Sequence, residues 1–225
     1  DFEGPVMERD GVVLIHGIEL RVETADQRLD LLGYGLEPTP ELRTEVERLQ
    51  ADRIERGREI VTCLEQELGV SLGVELDAGV GRPHIARAVA EHPETRYEQA
   101  ATVFEDLIGD GDQCFVARDV PSFDRGVELL REASALVGLA HPFRYPDPEA
   151  ALECCASLDS VERYYPYDRP VGGESVADEA ALDRVIQRYD LLPTGGSDAH
   201  GTELGTAGLS REEYEQIAPN LPPMS

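Results

Sequence analysis

The 225-residue chain contains no lysine and no tryptophan, and only 4 of its residues are cysteine. Its longest apolar runs, Val12–Ile15 and Leu136–Ala140, fall far short of the roughly 18 residues a membrane-spanning helix needs, so the sequence reads as a cytoplasmic protein. The cysteines, Cys63, Cys114, Cys154 and Cys155, form no C-x-x-C pair and two are adjacent, which predicts reduced packing residues instead of a disulfide framework. With lysine absent, all 20 strongly basic residues are arginine, and they face 46 acidic ones for a formal net charge of -26. Such a surface suits molar salt, where the Debye length shrinks to about 3 Å, and points to a halophilic source. It disfavours a duplex nucleic-acid partner. A phosphate-bearing ligand would need a local group of arginines.

What is present is α/β patterning. Strand patterns at 12–20 and 29–35 precede a long amphipathic helix from Glu41 to about Leu68, introduced by Thr39 and Pro40 as cap and first-turn residues. Shorter helices are expected at 81–89, with Pro83 in the first turn, and at about 97–108. Beyond Ser122 helices at about 123–134, 148–156 and 176–189 alternate with strands at 136–140, 160–165 and 190–196. That alternation indicates a parallel sheet or barrel.

In such folds the reactive side chains gather at the C-terminal ends of strands. Glu19 lies in the first strand pattern, His141 follows 136–140, and Asp198 and His200 follow 190–196. Each has an ordinary structural reading: a salt bridge for Glu19, a strand-end hydrogen bond for His141, turn chemistry for Asp198. Together they favour a metal site. His84, behind Pro83 near a helix N-terminus, is kept neutral by the helix dipole and becomes a fourth member. His92 reads as a helix-end residue and His16 as packing or support. Imidazole and carboxylate without thiolate suit Zn²⁺, Mn²⁺ or Fe²⁺, and five ligands exceed the needs of one ion. Such ions lower the pKa of water and stabilise the oxygens of a phosphoryl displacement.

The segments 17-GIEL-20, 31-LLGYG-35, 81-GRPHIARAV-89, 139-LAHPFRY-145, 161-VERYYP-166 and 194-TGGSDAHG-201 together resemble the PHP (polymerase and histidinol phosphatase) metal-dependent phosphoesterases. The likeness is to the branch of nucleoside 3′,5′-bisphosphate phosphatases and 5′→3′ exoribonucleases. The resemblance implies a distorted (β/α)7 barrel from residues 1–35 and 121–225 with a helical insertion over 36–120. It implies a cluster of two or three divalent ions held by Glu19, His84, His141, Asp198 and His200, with Glu19, Asp198 and His200 catalytic and Arg118 and Arg144 holding phosphate. The substrate expected is a small phosphorylated nucleotide or short oligonucleotide, hydrolysed by metal-activated hydroxide. The family's His-x-His and Asp-His motifs have no counterpart before Glu19. The expectation is therefore a barrel lacking its first strands, weakly active or inactive without an upstream segment. A degenerate, non-catalytic PHP module binding a metal, nucleotide or protein partner is the rival reading. An amidohydrolase-like enzyme is a third, which Arg118, Arg144 and the GRPH block disfavour.

Overall fold

A computed structural model describes residues 4–77, 79–167, 178–202 and 204–224. The chain divides into two units, Asp1–Leu42 with Val120–Ser225 and Arg43–Asp119.

The first unit is built on a five-stranded mixed sheet, ordered β3 (Gly17–Glu23), β4 (Arg28–Tyr34), β5 (Leu136–Leu139), β6 (Ser160–Tyr164), β7 (Leu192–Gly195). The expected barrel is not closed: among the described residues the sheet is open. The first two pairings are antiparallel and the last two parallel. Only Thr24–Gln27 separates β3 from β4, too short for the crossover a parallel pair requires. Thr24 Oγ1 closes that turn by accepting from the Gln27 N–H at 3.1 Å.

Register sorts the β3–β4 ribbon into an apolar and a charged face. Leu20 lies opposite Leu31 and Val22 opposite Leu29, and all four are buried. The intervening pairs are Glu19–Leu32, Arg21–Asp30 and Glu23–Arg28. Side chains alternate faces along a strand, so Glu19, Arg21, Arg28 and Asp30 share the second face. Pairing through β5 and β6 carries that face to Ser160, Glu162 and Thr194.

Helix α4 (Phe123–Ala133) covers the apolar face, capped by Ser122 and presenting Val127 and Leu130 to the core. Gly126 lets it lie close, since a Cβ there would collide with Val22. Helices α5 (Pro148–Glu153) and α6 (Glu179–Tyr189) are capped by Asp147 and Asp178. The helix expected to start near 176 begins at Glu179, and residues 176 and 177 lie outside the described set. A last helix, α7 (Arg211–Ile217), opens with a capping box of Ser210 and Glu213.

The run 12–20 is not the single buried strand its composition predicts. Val12–Ile15 forms β2, paired with β1 (Val6–Arg9) in a separate hairpin through the positive-φ turn Asp10-Gly11. Val12 and Val13 are 56% and 41% exposed there, because an isolated two-stranded ribbon has no second layer over this end.

The second unit is helical. Helix α1 (Pro40–Leu68), with the Leu42 N–H bonded to Thr39 Oγ1, buries Ile60, Val61 and Leu64 against Val80, Ile85, Val89, Val103 and Ile108. Ile85 and Val89 come from α2 (Arg82–Glu91), Val103 ends α3 (Ala100–Val103), Ile108 closes the π-turn at Phe104–Ile108 that follows it, and Val80 precedes α2. Cys63 and Cys114 are joined in a disulfide, which corrects the expectation that all four cysteines are reduced. Their 51-residue separation hides a Cα–Cα distance of 5.6 Å. Cys154 and Cys155 are free. No described helix is long and apolar enough to cross a membrane.

Candidate metal and phosphate site

The charged face of the sheet opens into a cavity of about 390 Å³ lined by Glu19, Arg21, Arg28, Asp30, His141, Arg144, Tyr145, Pro146, Asp198 and His200. All of these belong to the sheet-bearing unit.

Glu19, Asp30 and His141 each present a donor atom within 4.8 Å of the other two. His141 Nε2 lies 3.6 Å from Glu19 Oε1 and 3.7 Å from Asp30 Oδ2. Glu19 and Asp30 are diagonal neighbours across the β3–β4 ribbon, which brings their carboxylates within reach of one ion. Asp30 is only 2% exposed, a costly position for a charge unless it is paired. Arg21 pairs with it through both oxygens, Nε to Oδ1 at 2.7 Å and Nη2 to Oδ2 at 2.5 Å. Tyr145 fixes the backbone beneath: its hydroxyl accepts from the Asp30 N–H and donates to the Ala140 carbonyl, both at 2.9 Å.

His141 follows β5 in a left-handed conformation, φ 26° and ψ 62°, which leads into a single 3₁₀ turn at Pro142–Arg144. Such a φ is uncommon for a side chain with a Cβ and marks a strained position. The ring sits between Tyr145 and Tyr165, with centroids 5.4 Å and 5.3 Å away. Burial lowers the His141 pKa, but the hydrogen bond to Glu19 and the charges of Asp30, Glu162 and Glu19 outweigh it, and the net shift is upward. Nδ1 is buried with no hydrogen-bond partner among the described residues. Two carboxylates and the Nε2 of His141 make a three-atom donor set that fits a divalent ion of the Zn²⁺, Mn²⁺ or Fe²⁺ kind.

Behind His141 lies Glu162, 6% exposed on β6, whose Oε2 accepts the His141 backbone N–H at 2.8 Å. Burial pushes its carboxyl up to about 7, against the pull of that hydrogen bond and of the His141 charge.

Asp198, three residues past β7, also has positive φ, at 46°. Its Oδ2 accepts from the Tyr165 hydroxyl at 2.8 Å and lies 3.8 Å from Arg144 Nη1. Arg144 also bonds the Tyr165 hydroxyl and stacks over that ring. Burial, reinforced by the bond to Asp198, pushes the Tyr165 phenol up to about 12, so it remains a donor at neutral pH. His200 turns back so that Nδ1 meets the Asp198 carbonyl at 2.9 Å, and its side chain is 85% exposed at the mouth.

Of the site residues expected from sequence, Glu19, His141, Arg144, Asp198 and His200 therefore line one cavity. His84 and Arg118 belong to the other unit, His84 exposed in the first turn of α2 and Arg118 half-buried. His92 caps the C-terminus of α2, accepting the Glu94 N–H on Nδ1 at 3.2 Å. His16 links the two ribbons through its backbone, bonded to the Pro5 carbonyl and the Leu36 N–H. Sequence reasoning missed Asp30, Glu162, Arg21, Arg28 and Tyr165. The signal for Asp30 and Arg28 was their period-two spacing opposite Arg21 and Glu23.

No family profile matches the chain. It is 29% identical over 215 residues to the phosphoribosyl 1,2-cyclic phosphate 1,2-diphosphodiesterase of Eggerthella lenta, covering 86% of this chain and 75% of that protein. Two solved structures share the fold. One, from Bifidobacterium adolescentis and named as a metal-dependent phosphoesterase, has a TM-score of 0.69 at 23% identity, covering 92% of this chain and 76% of its own. The other, from Chromobacterium violaceum and named as an amidohydrolase with bound sulfate and no metal, has a TM-score of 0.68 at 20% identity, covering 91% and 76%.

Proposed function

We propose that the chain is a metal-dependent phosphoesterase, a hydrolase acting on a small phosphorylated substrate. The observation that carries this reading is the single cavity in which a Glu19–Asp30–His141 donor set meets Arg28 and Arg144. The 29% identity to a curated phosphodiesterase supports the same class of chemistry. A bound divalent ion would supply Lewis acidity and a lowered water pKa.

The chain's own residues do the rest. Glu19, Asp30 and His141 hold the ion, and Arg21 fixes the rotamer of Asp30 so that one oxygen of the buried carboxylate stays toward His141. Arg28 and Arg144 neutralise the phosphoryl oxygens, and a guanidinium suits that role through paired N–H donors. Asp198, oriented by Tyr165, and His200 at the mouth extend the donor set toward further ions. His84 and Arg118 are assigned the roles of an additional ligand and an additional phosphate contact. The finer reading is a nucleoside 3′,5′-bisphosphate phosphatase with two or three Mn²⁺, Zn²⁺ or Fe²⁺ ions, working in a salt-rich cytoplasm.

The test is a hydrolysis screen in high salt with each metal, following free phosphate from nucleotide 3′- and 5′-phosphates and 3′,5′-bisphosphates and ring-opened monoester from cyclic phosphate diesters. Metal-dependent release from the bisphosphates supports the finer reading. Ring opening of cyclic diesters alone transfers the assignment to the chemistry of the curated relative, and no metal-dependent hydrolysis of any of these esters overturns the function.

A further inference from the structure

Glu162 is one of the few buried charges among the described residues, and none of the metal or phosphate contacts uses it. It lies on β6, in register between β5 on one side and β7 on the other. Those neighbours carry the two turns that end in His141 and Asp198. One carboxylate oxygen, Oε2, takes the His141 N–H at 2.8 Å. The other, Oε1, faces the end of β7, where a Cβ at Gly196 would stand 3.5 Å from it. A buried carboxylate costs several kcal/mol unless donors meet it, so its retention between two functional turns calls for a role. His141 itself needs an external hold: its φ of 26° is strained, and the adjoining Pro142 has no N–H to contribute.

We infer that Glu162 is a positioning residue, a strut whose carboxylate clamps the left-handed His141 turn at the end of β5 and so aims the imidazole at Glu19 and Asp30. The inference rests on the metal reading for the function of His141, but the clamp itself is a property of the protein without metal. Partners behind a metal ligand typically carry about 10–100-fold in metal affinity. Here the partner acts on the ligand's backbone, where a peptide N–H deprived of its acceptor would let the strained turn relax.

The experiment uses the full chain with Glu162→Ala, Glu162→Asp and Glu162→Gln. Glu162→Ala removes the acceptor, Glu162→Asp withdraws it by one methylene, and Glu162→Gln keeps an amide oxygen in its place. Mn²⁺ titration is expected to show at least about a tenfold loss for the Ala and Asp variants, with Gln within about threefold of wild type. In the metal-free protein the His141 amide should exchange slowly in wild type and Gln and quickly in Ala and Asp. Wild-type Mn²⁺ affinity and wild-type exchange in a folded Asp or Ala variant would overturn the proposal. So would a Gln variant that fails as badly as Ala, since charge and not the acceptor would then be responsible. If Ala does not fold, the Asp and Gln pair decides. A wild type that binds no Mn²⁺ would refute the metal reading, while amide exchange would still decide the clamp.

Discussion

The two units bury different things. In the helical unit the core is Ile60, Leu64, Ile85, Val89, Val103 and Ile108, closed by the Cys63–Cys114 disulfide. On the sheet of the other unit, Asp30, Ser160, Glu162 and Thr194 are buried on a single face, while Arg56 of α1 is the remaining buried charge among the described residues. Backbone strain separates in the same way. Of the four non-glycine residues with positive φ among the described residues, Asp10 serves a hairpin turn and Asp190 caps α6, but His141 and Asp198 carry the candidate site. One unit is packed for stability, and the other accepts buried charge and strained turns where its side chains must converge.

Substitutions can separate these two economies. His141→Ala should have the largest effect on the site, weakening Mn²⁺ binding by more than about 100-fold, beyond the range that outer partners carry. Calorimetry with the metal reads it, and thermal unfolding of the metal-free protein should show at most a modest loss, because alanine keeps the Cβ at this positive-φ position and gives up only the ring's packing against Tyr145 and Tyr165. In the helical core, Leu64→Ala should cost about 2–5 kcal/mol of stability in denaturant melts, because its fully buried side chain leaves a cavity. Mn²⁺ affinity of the folded fraction should not change. Cys63→Ser should cost about 2–4 kcal/mol by freeing the 51-residue separation in the unfolded chain. A Leu64 variant that lost metal binding as fully as His141→Ala would break the comparison.

Acidity offers a subtler test. The Glu162 carboxyl, raised to about 7, binds its proton in the native state where the unfolded chain has already released it. The His141 imidazole, also raised, keeps its proton longer in the native state. Both shifts mean the folded protein holds more protons, so metal-free stability should fall as pH rises from about 5 to 8. Mn²⁺ affinity should move the opposite way, rising over the same window as His141 sheds the proton that competes with the ion. Melts and titrations at matched salt would show the crossing trends. Parallel trends would remove His141 from the ligand set.

Much of this was legible in the residues, and the gaps have physical causes. The order of helices and strands after Ser122 follows from periodicity, and Glu19, His141, Asp198 and His200 stood out as ligand types at strand patterns or ends. Asp30 did not, because 29-LDLLGYG-35 reads as an apolar strand until register sets Asp30 opposite Arg21. Glu162 was hidden for the same reason, since nothing in 160-SVERYY-165 says that this carboxylate points inward to a backbone N–H. The disulfide and the antiparallel pairing of β4 with β5 depend on contacts between distant segments, which local pattern does not carry.

The central claim is that Glu19, Asp30 and His141 form a metal site on the charged face of the sheet. Asp30→Asn tests it most directly, since it keeps the shape and removes the charge that sequence reasoning overlooked. Equilibrium Mn²⁺ binding followed by electron paramagnetic resonance should show a site in the wild-type chain that is lost or weakened at least about tenfold in the folded variant. Unchanged binding in Asp30→Asn, or none in wild type, would contradict the account.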